Sequence, residues 1–110
     1  MMTQDFYCDE VLSGKTQVKV VMETKNVMAY HHTLPYYKHH IVVIPKMHIQ
    51  SFISEEEENN DELLLEMMQV IKKVAADMLA QTGSSKIVTN LGSYQDSKHQ
   101  HWHIVSGERT

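Results

Sequence analysis

At 110 residues, with 42% hydrophobic and 22% charged side chains, the chain has the makeup of one soluble α+β-sized domain, 1–110, around a single core. A net charge of −4 excludes a nonspecific nucleic-acid binder, which needs a basic face, and no apolar run reaches bilayer-spanning length. The lone Cys8 cannot close an intramolecular disulfide, and Met1-Met2-Thr3-Gln4-Asp5 lacks the basic and apolar parts of a signal peptide, so a cytoplasmic protein without membrane partners is expected.

Asp5 is placed to cap a short helix through Ser13, with Phe6, Tyr7, Val11 and Leu12 forming a face and Gly14 ending it. Gln17 to Glu23 reads as a strand through Val18, Val20 and Val21, Thr24-Lys25-Asn26 as a hairpin turn, and Val27 to His31 as the return strand. Thr33-Leu34-Pro35 follows as a loop, because Pro35 removes a ladder donor. His40 to Ile44 is a β-branched run ended by Pro45. The Glu55-Glu56-Glu57-Glu58 run reads as a solvated loop or first turn.

From Asp61 to Gln81, Leu64, Met68, Ile71, Ala75 and Met78 recur at helical spacing, which predicts a long helix packed on a sheet. Asn60 suits its N-cap and Gly83 its C-terminal stop. Lys86 to Leu91 reads as another strand, and a polar loop through Lys98 leads to His99-Gln100-His101-Trp102-His103-Ile104-Val105. The order predicts an α+β domain whose antiparallel sheet carries the long helix on one face.

The eight histidines fall in two groups: His31, His32, His39, His40 and His48, and the alternating His99, His101 and His103. In a strand that alternation turns three imidazoles to one face, with Trp102 and Ile104 on the other. Two histidine-rich segments far apart in sequence predict one composite site. Zinc is one reading of it, since strand histidines supply zinc ligands. However, His99 and His103 would stand roughly 13 Å apart along a strand, too far for all three rings to share one ion easily. Two of them with His40 or His48 stay feasible. The other reading is covalent catalysis, in which neutral His101 attacks phosphorus while its neighbours orient it. No Walker-type glycine loop is present, which argues against an ATP-cleaving motor or kinase.

At these residues the chain resembles the histidine-triad (HIT) family of nucleotide hydrolases and transferases, whose signature His-φ-His-φ-His-φ-φ matches His99 to Val105. The likeness extends over nearly the whole length. It includes Phe6-Tyr7-Cys8 with Val11, Leu12 and Gly14, then Val27 to His31 followed by Pro35. It continues through His40-Ile41-Val42-Val43-Ile44-Pro45-Lys46-Met47-His48, Asn90 and Gln95. The resemblance implies a HIT-like fold with an antiparallel sheet, one long helix and a short N-terminal helix, paired as a homodimer. It also implies a hydrolase of the phosphoramidase (Hint-like) branch acting on a purine nucleoside phosphoramidate or related purine nucleotide. His101 would attack the α-phosphorus to form a nucleotidyl-histidine. His40 and His103 would orient it or the phosphate, and His99 would support the phosphate pocket. Asn90, Gln95, Asp96, Ser97, His32 and Val11 would line the nucleotide site. Dinucleoside polyphosphate cleavage (Fhit-like) and a non-catalytic nucleotide- or partner-binding module are the alternatives the same fold allows.

Departures from the family pattern bear on that reading. Gln100 replaces the first hydrophobic φ and is expected to change packing rather than chemistry. His32 stands where many members carry an acidic residue for the ribose, and Asp96 where a Ser or Thr often assists the leaving group, a task that Ser97 can take if the loop shifts. Some bacterial members hold structural zinc with a Cys-x-x-Cys pair and two histidines. Here Asp5 replaces the first Cys beside Cys8, His48 and His99, so no cofactor is expected to be required, structural zinc being the exception to test.

Overall fold

Short β-branched runs separated by turn residues pair best with their nearest antiparallel neighbours, and the first three strands do so in a computed structural model that describes residues 11–53, 60–97 and 99–110. Strands β1 (Val20–Glu23) and β2 (Val27–His31) form a hairpin, and β3 (Tyr37–Pro45) adds to β2. Helix α1 (Asn60–Thr82) and strand β4 (Lys86–Thr89) then precede β5 (Trp102–Arg109), which inserts between β3 and β4. The sheet is antiparallel throughout, in the order β1-β2-β3-β5-β4. The expected N-terminal helix lies outside the described residues except for its end, where the Gly14 N–H donates to the Val11 carbonyl at 3.2 Å. The Glu55–Glu58 run, Cys8 and Asp5 also lie outside them.

Alternation along each strand divides the sheet into two faces. Val27, Ala29, Val43 and Ile104 meet Met67, Val70, Ile71, Val74 and Met78 of α1 in the main core. Of the expected helical stripe, Ile71 and Met78 lie in this core, Met68 and Ala75 pack at its flank and Leu64 is half-buried, while Met67, Val70 and Val74 join it. The cause is the triple Leu63-Leu64-Leu65 and the pair Met67-Met68, which offer more than one apolar register, so sheet packing chooses between them. On the opposite face, Tyr30, Val42 and Ile44 pack with Val11 in a second apolar cluster. His40 and His103 share that face, as the alternation requires.

Several strand boundaries differ from the sequence expectation. β1 starts at Val20 rather than Gln17; it pairs from Val20 opposite Tyr30 to Glu23 opposite Met28, with one further bond from the His31 N–H to the Lys19 carbonyl at 3.0 Å. β3 starts at Tyr37, three residues early, because β5 runs on to Arg109 and gives Tyr37 a partner. Between Tyr37 and His39 the register slips; Gly107 lies in the slip with φ +88°, where an added Cβ would sit 2.9 Å from the Lys38 Cβ. β5 itself starts only at Trp102, so His99, Gln100 and His101 precede the strand. Continued two residues past Trp102, the β3–β5 register would set Gln100 opposite Pro45, which has no N–H to offer a ladder. β4 likewise stops at Thr89, opposite Trp102.

The hairpin is tied to the helix by one carboxylate. Glu66 accepts from the Asn26 backbone N–H and the Asn26 amide, each at 2.9 Å, and from the Thr24 hydroxyl. Those bonds hold its carboxyl below the usual glutamate range. At the helix end, Gly83 donates to the Leu79 carbonyl at 2.8 Å, the stop expected there. Glu66→Ala is expected to cost about 0.5–1.5 kcal/mol, since three donors exchange a charged acceptor for water, and to lower the urea midpoint with little change in m. A midpoint unchanged from the native chain would show that the carboxylate contributes nothing.

Candidate active site

Antiparallel register decides which histidines meet. His40 lies opposite Val105 and Val42 opposite His103, so the two histidines project from the same face on adjacent strands. Their rings bond, His40 Nε2 to His103 Nδ1, at 2.8 Å. The Tyr36 N–H donates to His40 Nδ1 at 3.4 Å, which places the His40 proton on Nε2 and makes that atom the donor to His103. His103 then carries its own proton on Nε2. The His32 ring packs 4.3 Å from His40, and its Nδ1 accepts from the Leu34 N–H at 3.0 Å.

His101 joins the group from outside the strand. Its ring lies 5.0 Å from that of His103. A carbonyl can only accept, so the 2.7 Å contact between His101 Nδ1 and the His99 carbonyl is an N–H donating outward. Neutral His101 therefore bears its lone pair on Nε2, the tautomer a nucleophile needs. The segment is pinned on its other side by the Thr89 hydroxyl, which donates to the His101 carbonyl at 2.8 Å.

His99 does not share this arrangement. It is fully buried, its Nε2–H donates to the Pro45 carbonyl at 2.8 Å, and the His48 ring packs against it edge-on at 5.3 Å. The expected single face of three imidazoles is thus two rings, His101 and His103, plus a third that anchors the segment through its ring and orients His101 through its carbonyl. Gln100 is buried on the side away from the imidazoles and accepts from the Trp102 indole N–H at 2.8 Å, as its place in the motif suggested.

The remaining expected residues divide in the same way. Asn90 follows β4 directly and is half-buried, and Ser97 is buried. Gln95 is buried with its amide donating to the Gln50 and Ser97 carbonyls at 2.6 and 3.1 Å, so this group braces the loop. Asp96 is exposed, yet its charge reaches His32 and Tyr36. Val11 lies in the apolar cluster on the histidine face. The sequence reading missed Tyr36, whose ring stands edge-on to His40 at 4.5 Å, and Arg109, whose guanidinium lies 5.4 Å from the Tyr36 ring. A Tyr-Tyr pair after a proline carries no chemistry by itself; only folding sets it against His40.

Burial lowers the His103 pKa to about 3, helped by the nearby His101, His40 and His32 rings, and lowers that of His40 to about 4, helped by His32. Burial and His101 also lower His32, against an opposing pull from Asp96. His32, His40 and His103 are therefore neutral near pH 7.

Residues 13–110 match the model of the HIT domain. The chain belongs to the HIT family. An "Uncharacterized HIT-like protein" of Helicobacter pylori is 27% identical over 103 residues, covering 92% of this HIT protein and 95% of the relative. Among solved structures, a HIT family hydrolase from Legionella pneumophila is 28% identical, with a TM-score of 0.77 over 96% of this chain and 95% of that one. A HIT family hydrolase from Clostridium thermocellum is 25% identical, with a TM-score of 0.79 over 97% and 93%. The five-stranded antiparallel sheet with one long helix is the HIT fold.

Neutral buried histidines make this HIT protein acid-sensitive. His40 and His103 titrate well below the 6.5 of an unfolded histidine, so the unfolded chain binds more protons between about pH 6.5 and 4. Their contribution is complete above pH 6.5 and is lost as pH falls, at most about 1.4 kcal/mol per pH unit for each ring. Urea unfolding with a chelator present should therefore show stability falling from pH 6.5 to 4, and a shallower fall in His103→Asn. Equal slopes in both proteins would contradict the assignment.

Proposed function

We propose that this HIT protein is a nucleotide hydrolase that cleaves a purine nucleoside phosphoramidate, or a related purine nucleotide, through a nucleotidyl-histidine. The observation that carries the reading is the His101 Nδ1–H bond to the His99 carbonyl, which puts the ring's lone pair on Nε2 beside His103. The Legionella and Clostridium relatives, each a HIT family hydrolase by name, support the hydrolase class.

In the proposed reaction His101 Nε2 attacks the α-phosphorus and forms a P–N bond. The bond to the leaving nitrogen breaks, its electron pair departs with that nitrogen, and a proton is taken up there. Water then attacks the same phosphorus, the His101–phosphorus bond breaks, and the nucleoside monophosphate leaves. As His101 acquires positive charge, the His99 carbonyl stabilises its Nδ1–H. The His40–His103 pair holds the His103 Nε2–H for a phosphate oxygen, a donor in place before the charge develops. Phosphate binding raises the pKa of these rings, since a nearby anion favours the protonated form. Asn90 and Ser97 are assigned to the phosphate and leaving-group side, Gln95 and Asp96 to the loop that shapes it, and His32 and Val11 to the nucleoside side. No metal or cofactor takes part in the proposed steps. The reading includes a cytoplasmic homodimer that uses the β4 edge, where Ile87 is exposed on the outermost strand.

Two measurements test this. Adenosine 5′-phosphoramidate with chelator should yield AMP from the native chain and only background from His101→Ala. Activity surviving in the variant would remove His101 as nucleophile; no product from either would reject the phosphoramidate and turn attention to dinucleoside polyphosphates or a binding role. In sedimentation equilibrium the native chain should have twice the mass of Ile87→Lys, and a monomeric native chain would rule the dimer out.

A further inference from the structure

We infer that His32, His40 and His103 form a binding site for a divalent transition-metal ion of the zinc class. Candidate ligand atoms of the three rings all lie within 4.8 Å of one another. Tetrahedral zinc, with Zn–N bonds of about 2.0–2.1 Å, needs nitrogen pairs about 3.4 Å apart. The His40 and His103 nitrogens already face each other at 2.8 Å, inside that span, and the His32 ring is 4.3 Å from the His40 ring centre to centre. The His32 ring lies over that of His40 at a 35° tilt, so binding requires this half-buried side chain to turn its ring edge toward the His40–His103 pair.

The donor chemistry also fits. Three imidazoles suit zinc, cobalt, nickel and copper, and they bind metal only when neutral. Burial keeps these three neutral near pH 7, so the ion displaces few protons. An ion between His40 and His103 takes the place of the shared proton, which moves to Nδ1 of His40. His40 then gives up the 3.4 Å contact from the Tyr36 N–H. Whichever nitrogen of His32 takes the ion, the Leu34 N–H loses its acceptor, because Nδ1 is then either liganded or protonated. That cost is small, since Leu34 is 80% exposed and its N–H turns to water. Asp96 lies close enough to favour positive charge at His32, and favours a cation there for the same reason.

The third imidazole comes from His32, which completes an all-nitrogen donor set with His40 and His103. The site is distinct from the set Cys8, His48 and His99. It shares His40 and His103 with the proposed hydrolysis, whose steps use no metal.

The test is calorimetric titration of the full chain with Zn²⁺ alone, without nucleotide, followed by Co²⁺ spectroscopy. We expect one Zn²⁺ per chain, visible d–d absorption with Co²⁺, and Co²⁺-shifted ring proton resonances from His32, His40 and His103. His32→Ala, at a half-buried position, should weaken Zn²⁺ by at least about tenfold, whereas His48→Ala should leave the affinity unchanged. Retained folding of both variants is checked by circular dichroism, and the Co²⁺ shifts in the native chain locate the ion without any variant. No stoichiometric binding, affinity unchanged in His32→Ala, or shifts confined to His48 and His99 would each overturn the inference. Because no nucleotide is present, these outcomes leave the hydrolase reading to its own assay.

Discussion

Strands β3 and β5 are separated by helix α1, strand β4 and the segments that join them, yet their antiparallel register is what makes a site of this chain. With Val42 opposite His103 and His40 opposite Val105, two histidines from distant segments meet at 2.8 Å. The same pairing sends Val43 and Ile104 to the other face, where they join the helix in the main core. A slip of one residue in β5 would turn His103 into the core and Ile104 toward the histidines. The core thus enforces the register, and the register makes the histidine pair.

Where that pairing stops matters as much as where it holds. Pro45 leaves the ladder without a donor at the point where Gln100 would pair. Residues 99 to 101 are free to find other hydrogen bonds: the His99 ring to the Pro45 carbonyl, His101 Nδ1 to the His99 carbonyl, and the Thr89 hydroxyl to the His101 carbonyl. His101 is consequently held by bonds that fix its tautomer, a constraint that a regular strand would not impose. The proline and the histidines act together although each looks like a separate signal in the sequence.

Burial gives the group its electrostatic character. Several rings within contact distance cannot all take up the second proton that charges them, and desolvation disfavours charge at each. The ligand-free site is a set of oriented neutral donors and lone pairs. That state suits a nucleophile and, through His32, suits a cation.

Most of the fold was legible in the chain itself. Alternation and turn residues defined β2 to the residue, periodicity and Gly83 defined the helix within one residue at each end, and the histidine motif with His40 named the residues that gather. These are local signals, set by side-chain period and backbone freedom, and they need no partner to be read. Tertiary structure alone decided the rest. The helix stripe was ambiguous because consecutive leucines and methionines permit more than one register, and packing on the sheet selected Met67, Val70 and Val74. The departure of His99 from the imidazole face, the role of the Gln95 amide as a loop brace, and the approach of Tyr36 to His40 follow from hydrogen-bond partners and ring neighbours remote in sequence or set by loop geometry. Periodicity reports which way a side chain starts out along a regular element. Only the folded chain determines what it meets once that element ends.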